Sequence, residues 1–119
     1  MYCKHTRLYV GQRIGDRNAV IAGDLRTLQL QPLDPTRSLA LRSHSPTGFA
    51  WGYLGSGPAQ LALAILLDAT DDPNLALANY LDFKVEMVAR WPYRWSISTT
   101  DIEGWLSVRD AVRAAQARS

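Results

Sequence analysis

The chain has 119 residues, 47% of them apolar, a single cysteine and a formal net charge of +2. That size and apolar content can build one core without metal or disulfide staples, and the lone Cys3 argues against a stapled secreted scaffold, so a cytoplasmic setting is expected. The small net charge argues against a dedicated nucleic-acid binder, and neither polar residues 1–7 nor the apolar run 59–67 has the make-up of a signal peptide or a membrane span. Charge is unevenly spread, with seven Lys or Arg against three Asp over residues 1–57 and six against eight carboxylates over residues 58–119.

Residues 6–10 alternate loosely up to Gly11, and residues 18–22 are β-branched up to Gly23-Asp24. Residues 25–33 place Leu25, Leu28, Leu30 and Leu33 in mostly alternating positions. With turns at Gly15-Asp16 and Gly23-Asp24, this pattern predicts three short antiparallel strands. Pro32, Pro35 and Pro46 then punctuate a long loop, with one further strand expected over 39–42. Ser56-Gly57-Pro58 opens a helix, Ser56 or Gly57 serving as N-cap, and residues 59–69 leave it no polar face, so protein must wrap it on nearly all sides.

Asp72-Pro73 opens a second helix with Asp72 as N-cap. Its spacing predicts a buried face of Leu77, Tyr80, Leu81, Lys84 and Val88 flanked by Phe83 and Met87, with Asn79, Asp82 and Glu86 outward. Thr100-Asp101-Ile102-Glu103 matches a capping box for a third helix, which carries Ile102, Trp105, Leu106, Arg109 and Val112 to about Ala115. The fold class is therefore α+β: one domain over residues 1–119, with an antiparallel sheet of three to four strands from the N-terminal half packed against three helices from the C-terminal half.

Chemistry is sparse. His5 and His44 are the only histidines and neither has a carboxylate or cysteine at metal-ligand spacing. Asp68, Asp71 and Asp72 cluster at a helix junction but lack the alternating oxygen ligands of a calcium loop. Gly52, Gly55 and Gly57 precede a helix in the order G-x-x-G-x-G-P, with no lysine and with a proline where a phosphate-binding loop needs an amide; they read as a turn seating the helix. No catalytic, cofactor or metal site is expected. An enzyme would need a cleft joining His5 or His44 to an acidic residue of the other half.

"ARWPYRWS", residues 89–96, interleaves aromatic rings with cations. It reads either as a proline turn between helices whose tryptophans cap the core, or as a partner-binding surface of Arg90, Trp91, Tyr93, Arg94 and Trp95 that Arg109 and Arg113 extend. Stacking of single-stranded bases on the same rings is a further reading.

The stretch from Gly48 to Ala64, GFAWGYLGSGPAQLALA, resembles the signature of a family of small uncharacterised domains encoded on bacterial plasmids, phages and integrative elements. Tyr9-Val10-Gly11, Tyr80, Phe83-Lys84 and Trp105-Leu106 are similar to that family too. Ala50 stands where the family usually has an acidic residue and Leu54 where it has glycine, which argues against a ligand held through a carboxylate. The family has no established activity. By analogy with other small mobile-element proteins, the resemblance implies a non-enzymatic protein that docks on a host or viral protein complex, including CRISPR-type defence systems. The alternative is a nucleic-acid-binding accessory protein that uses the basic N-terminal half.

Overall fold

The computed structural model describes residues 1–118. Strands β1 (Arg7–Ile14) and β2 (Arg17–Asp24) form an antiparallel hairpin in register from Arg7 opposite Asp24 to Ile14 opposite Arg17. Its two-residue turn is Gly15-Asp16, and Gly15 takes the φ of +63° that tight primed turns require. β3 (Gln29–Pro32) pairs with β2 and β4 (Arg94–Ser98) with the far side of β1, giving the order β3-β2-β1-β4.

Three expectations for this half change. Residues 25–28 form a turn rather than strand, closed by the Leu28 N–H donating to Asp24 O with Leu28 at φ +58°. Residues 39–42 are not a strand, because α1 (Thr36–Leu41) occupies that stretch. Asp34 starts it by accepting from both the N–H and the hydroxyl of Thr36, a local turn that outcompetes extension. The proline turn between helices contains β4, so the sheet draws its fourth strand from the C-terminal half.

α2 (Ser56–Thr70) is the central helix, buried along almost its whole length. Gly55 rather than Ser56 or Gly57 is its N-cap, and it ends where Asp71 turns left-handed. α3 (Pro73–Glu86) starts as expected, with Asp72 accepting from the Leu75 N–H at 3.1 Å. Its buried face is Ala76, Asn79, Tyr80 and Phe83, while Leu81 is exposed. Asn79 turns inward because Arg109 and Arg113 meet it there, and Val88 lies beyond the helix in a 3₁₀ turn, Val88–Arg90.

α4 (Thr99–Arg118) is capped by Ser98 instead of Thr100. The Asp101 N–H donates to Ser98 Oγ at 3.2 Å, and Asp101 Oδ2 accepts from the Ser98 N–H at 3.0 Å. Glu103 instead faces the N-terminal segment and accepts from the N–H groups of Tyr2 and Cys3. Ser98→Ala is therefore expected to cost about 1 kcal/mol in urea unfolding and Thr100→Ala under about 0.5 kcal/mol. Equal losses would return the cap to Thr100.

One core joins the elements. Tyr9, Val20, Ala22, Trp95 and Ile97 supply the inner face of the sheet, and α2, Trp51, Phe83, Ile102 and Leu106 pack on it. The Tyr9 hydroxyl and the Arg7 guanidinium both donate to Asp68 Oδ2, at 2.6 and 2.8 Å, locking β1 to α2. α2 and α4 contribute to this core from the helical side, and α1 and α3 pack against α2.

Candidate interaction surface

The two aromatic stretches of the sequence meet at one end of the molecule. The Gly52 N–H donates to Val88 O at 3.0 Å, which ties the loop before α2 to the 3₁₀ turn before β4. Trp51 meets Trp95 edge-on with centroids 5.6 Å apart, and Trp95 stacks on Trp91 at 4.0 Å. Phe83 continues the contact to Trp91 and, at 5.1 Å, to Trp105. Trp95 is only 5% exposed, so it braces the surface from beneath, and Trp91 is half-buried. The buried indole N–H groups of Trp51 and Trp95 have no acceptor among the described residues.

Above this base stand the groups that face solvent. Tyr93 is 70% and Tyr53 52% exposed, and Leu54, Arg90 and Arg94 are exposed with them. The Arg13 guanidinium lies 5.0 Å from the Tyr93 ring centroid and 6.0 Å from that of Trp51. Its Nε donates to Asn18 Oδ1, and Asn18 Nδ2 donates to Phe49 O, so Arg13 is fixed from both sides. Arg90 and Arg94 make no ion pair among the described residues.

Arg109 and Arg113 do not join this group. Arg109 donates to Asn79 Oδ1 at 3.1 Å, Asp82 at 2.6 Å and Glu86 at 3.4 Å, and its guanidinium lies 4.8 Å from the centroid of Trp105. Arg113 donates to the same Asn79 oxygen. The pair fastens α4 to α3. The signal was available in the sequence: Asn79, Asp82 and Glu86 share a helical stripe, and Arg109 and Arg113 sit one turn apart on the next helix.

The remaining candidates are structural in geometry. His44 Nε2 lies 2.7 Å from the Tyr80 hydroxyl, and the His44 N–H donates to Gln60 Oε1. Burial pushes the Cys3 thiol up to about 12, helped by the Glu103 carboxylate, so at neutral pH it is protonated and a poor nucleophile. His5 shares a cleft of about 250 Å³ with Arg7, Arg37, Asp68 and Asp71, which is the juxtaposition an enzyme would need. Both carboxylates are committed there, Asp68 to Arg7 and Tyr9 and Asp71 to Arg37 at 2.6 Å. The α2 N-terminus is filled as well: a Cβ at Gly55 would lie 2.6 Å from the Tyr53 ring, and one at Gly57 2.6 Å from Ala50. Among the described residues there is no group of His, Cys, Asp and Glu poised to hold a metal, and no helix long and apolar enough to cross a membrane.

No curated protein and no solved structure matches the chain. A family model does, over residues 9–108, a span that takes in Tyr9-Val10-Gly11 on β1, the aromatic loop and α2, the 91–95 turn and Trp105-Leu106. On the strength of that match the chain belongs to DUF6166, a family of unknown function.

Proposed function

We propose that this chain is a non-enzymatic binding domain, encoded on a mobile genetic element, that docks on a host or viral protein complex and acts as an inhibitor of bacterial defence systems of the CRISPR kind. The observation that carries the reading is the end surface itself. Exposed Tyr53, Arg90, Tyr93 and Arg94 lie on the two segments that Trp51, Trp91 and Trp95 brace together, and neither arginine has an ion pair among the described residues. Tyrosine and arginine on a rigid support bury much area at little entropic cost, which is why such residues dominate binding energies. The likeness of residues 48–64 to small mobile-element domains supplies the setting. The basic N-terminal half supports nucleic-acid binding less well, since Arg7, Arg26 and Arg37 are ion-paired to Asp68, Asp24 and Asp71.

The test is affinity capture from bacterial cells carrying active defence systems, with nuclease on half the sample, comparing the natural chain with a Tyr93→Ala, Arg94→Ala variant. A stoichiometric protein that survives nuclease is expected, and the variant should bind it with a loss of about 2 kcal/mol or more, roughly thirtyfold, while melting unchanged. Capture unaffected by the variant would remove this surface from the interaction. Nuclease-sensitive capture that fades steeply with salt would instead favour phosphate contacts from the basic half.

A further inference from the structure

The outer face of the sheet has no covering layer. Alternation along the strands turns Leu8, Val10, Gln12 and Ile14 of β1, Arg17, Ala19, Ile21 and Gly23 of β2, Leu30 and Pro32 of β3, and Arg94, Ser96 and Ser98 of β4 away from the helices. None of these residues belongs to the core, which takes the opposite positions. An antiparallel sheet with one solvated face normally alternates apolar-in with polar-out, but here the outward positions of β1 and β2 are mostly aliphatic. Ile14 and Leu30 are 62% and 56% exposed. The Leu30 side chain lies flat over Gly23, where a Cβ would come within 2.3 Å of it, so the aliphatic surface continues onto the edge strand. A contiguous apolar surface of this kind marks a docking site.

We infer that this face takes a single amphipathic helix of a partner protein, with carboxylates along the flanks of its apolar stripe. Dimensions limit the occupant to one helix. Eight-residue strands run about 26 Å and four strands span about 14 Å, while a helix is about 10–12 Å across. Charge selects the kind of helix. Arg17 and Arg94 stand on either side of β1, opposite Ile14 and Gln12, no residue of the face is acidic, and neither arginine has an ion pair among the described residues. A second copy stacked there would bring the same cations with no carboxylate to meet them. The end of its α4 would do no better, because the exposed Arg113 and Arg118 outnumber Asp110 there. Single-stranded nucleic acid finds no aromatic platform on this aliphatic face. The face shares Arg94 with the Tyr93 end, while Leu8, Val10, Ile21 and Leu30 belong to the sheet face, so their amides report on this inference separately.

The experiment is an NMR titration of the purified full chain with two synthetic amphipathic helices of about 18 residues, long enough to run the length of the strands. They share a leucine stripe and differ only in having glutamates or lysines beside it. The glutamate peptide is expected to bind at least tenfold tighter, shifting the amides of Leu8, Val10, Ile21 and Leu30 and leaving those of α2 and α3 in place. The doubly reversed Arg17→Glu, Arg94→Glu chain should exchange the preference; both sites are exposed, and retained spectral dispersion would show that it is folded. The natural chain and the two peptides decide the matter even if that variant fails to fold. Equal affinities, no binding, or a footprint on the helical side would overturn the inference. So would a protein-only dimer, or single-stranded DNA, that occupies these amides where the glutamate peptide does not. Neither peptide is the partner sought by affinity capture, so a failed titration leaves that capture result standing and the reverse holds too.

Discussion

Gly11→Ala is expected to destabilise the chain by about 3 kcal/mol in urea unfolding, at the upper end of what overpacking costs. Gly11 sits in the middle of β1 on its inner face, directly opposite Trp95 of β4. A Cβ there would lie 2.2 Å from Trp95 Cε2 and 2.3 Å from Nε1, far inside van der Waals contact. The usual escape, a flexible side chain swinging aside, is closed. The indole is held edge-on by Trp51 and face-on by Trp91, and its own strand is hydrogen-bonded to β1. Either β4 separates from β1 or the three tryptophans repack, and both displace Tyr93 and Arg94. Tryptophan fluorescence and near-ultraviolet dichroism should therefore change along with stability. The clash also predicts coupling: combining Gly11→Ala with Trp95→Phe should recover part of the loss, giving a double-mutant interaction energy of about 1 kcal/mol or more. A Gly11→Ala chain as stable as the natural one would mean that the Trp95 ring does not rest on β1.

The same contact shows why one part of the fold is legible in the sequence and another is not. The β1–β2 hairpin, the start of α3 at Asp72 and the all-apolar α2 are local: a turn residue, a cap or a run of side chains announces each one. β4 is not local. Its alternation, Trp95 and Ile97 against Arg94, Ser96 and Ser98, is short and follows a proline turn, and its partner β1 lies at the other end of the chain. Local pattern therefore favours a connector, although the pairing of a bare glycine with a tryptophan is what gives the strand its place. The α4 cap lies two residues before the one its local pattern predicts, for a related reason. Thr100 and Glu103 have the right spacing, but Glu103 is drawn to the backbone of Tyr2 and Cys3, which no local pattern reveals. For the interaction surface, the sequence shows both aromatic stretches but not their meeting through Gly52 and Val88, nor that Arg109 and Arg113 serve the helix pair instead.

Gln60 is the other residue whose role emerges only in three dimensions, and its removal carries the second large expected effect. In the sequence it merely interrupts an apolar helix; in the structure it is fully buried. Its Oε1 accepts from the N–H groups of His44 and Ser45, at 2.7 and 3.1 Å, and its Nε2 donates to Ser38 Oγ at 3.0 Å. Ser38 Oγ in turn donates to Pro35 O at 2.9 Å. A single amide thus satisfies two backbone donors of the loop after α1 and holds α1 itself against the central helix. Gln60→Met keeps the length and helix preference of the side chain while removing its bonds to His44, Ser45 and Ser38. It is expected to cost about 2–4 kcal/mol, because half-buried donors left without an acceptor lose more than a hydrogen bond is worth on balance. The matching signature is local: amide exchange at His44 and Ser45 should accelerate by at least tenfold more than at the β1–β2 pairs. Unchanged exchange at those two amides, whatever the overall stability, would show that the loop is held by the His44–Tyr80 contact alone.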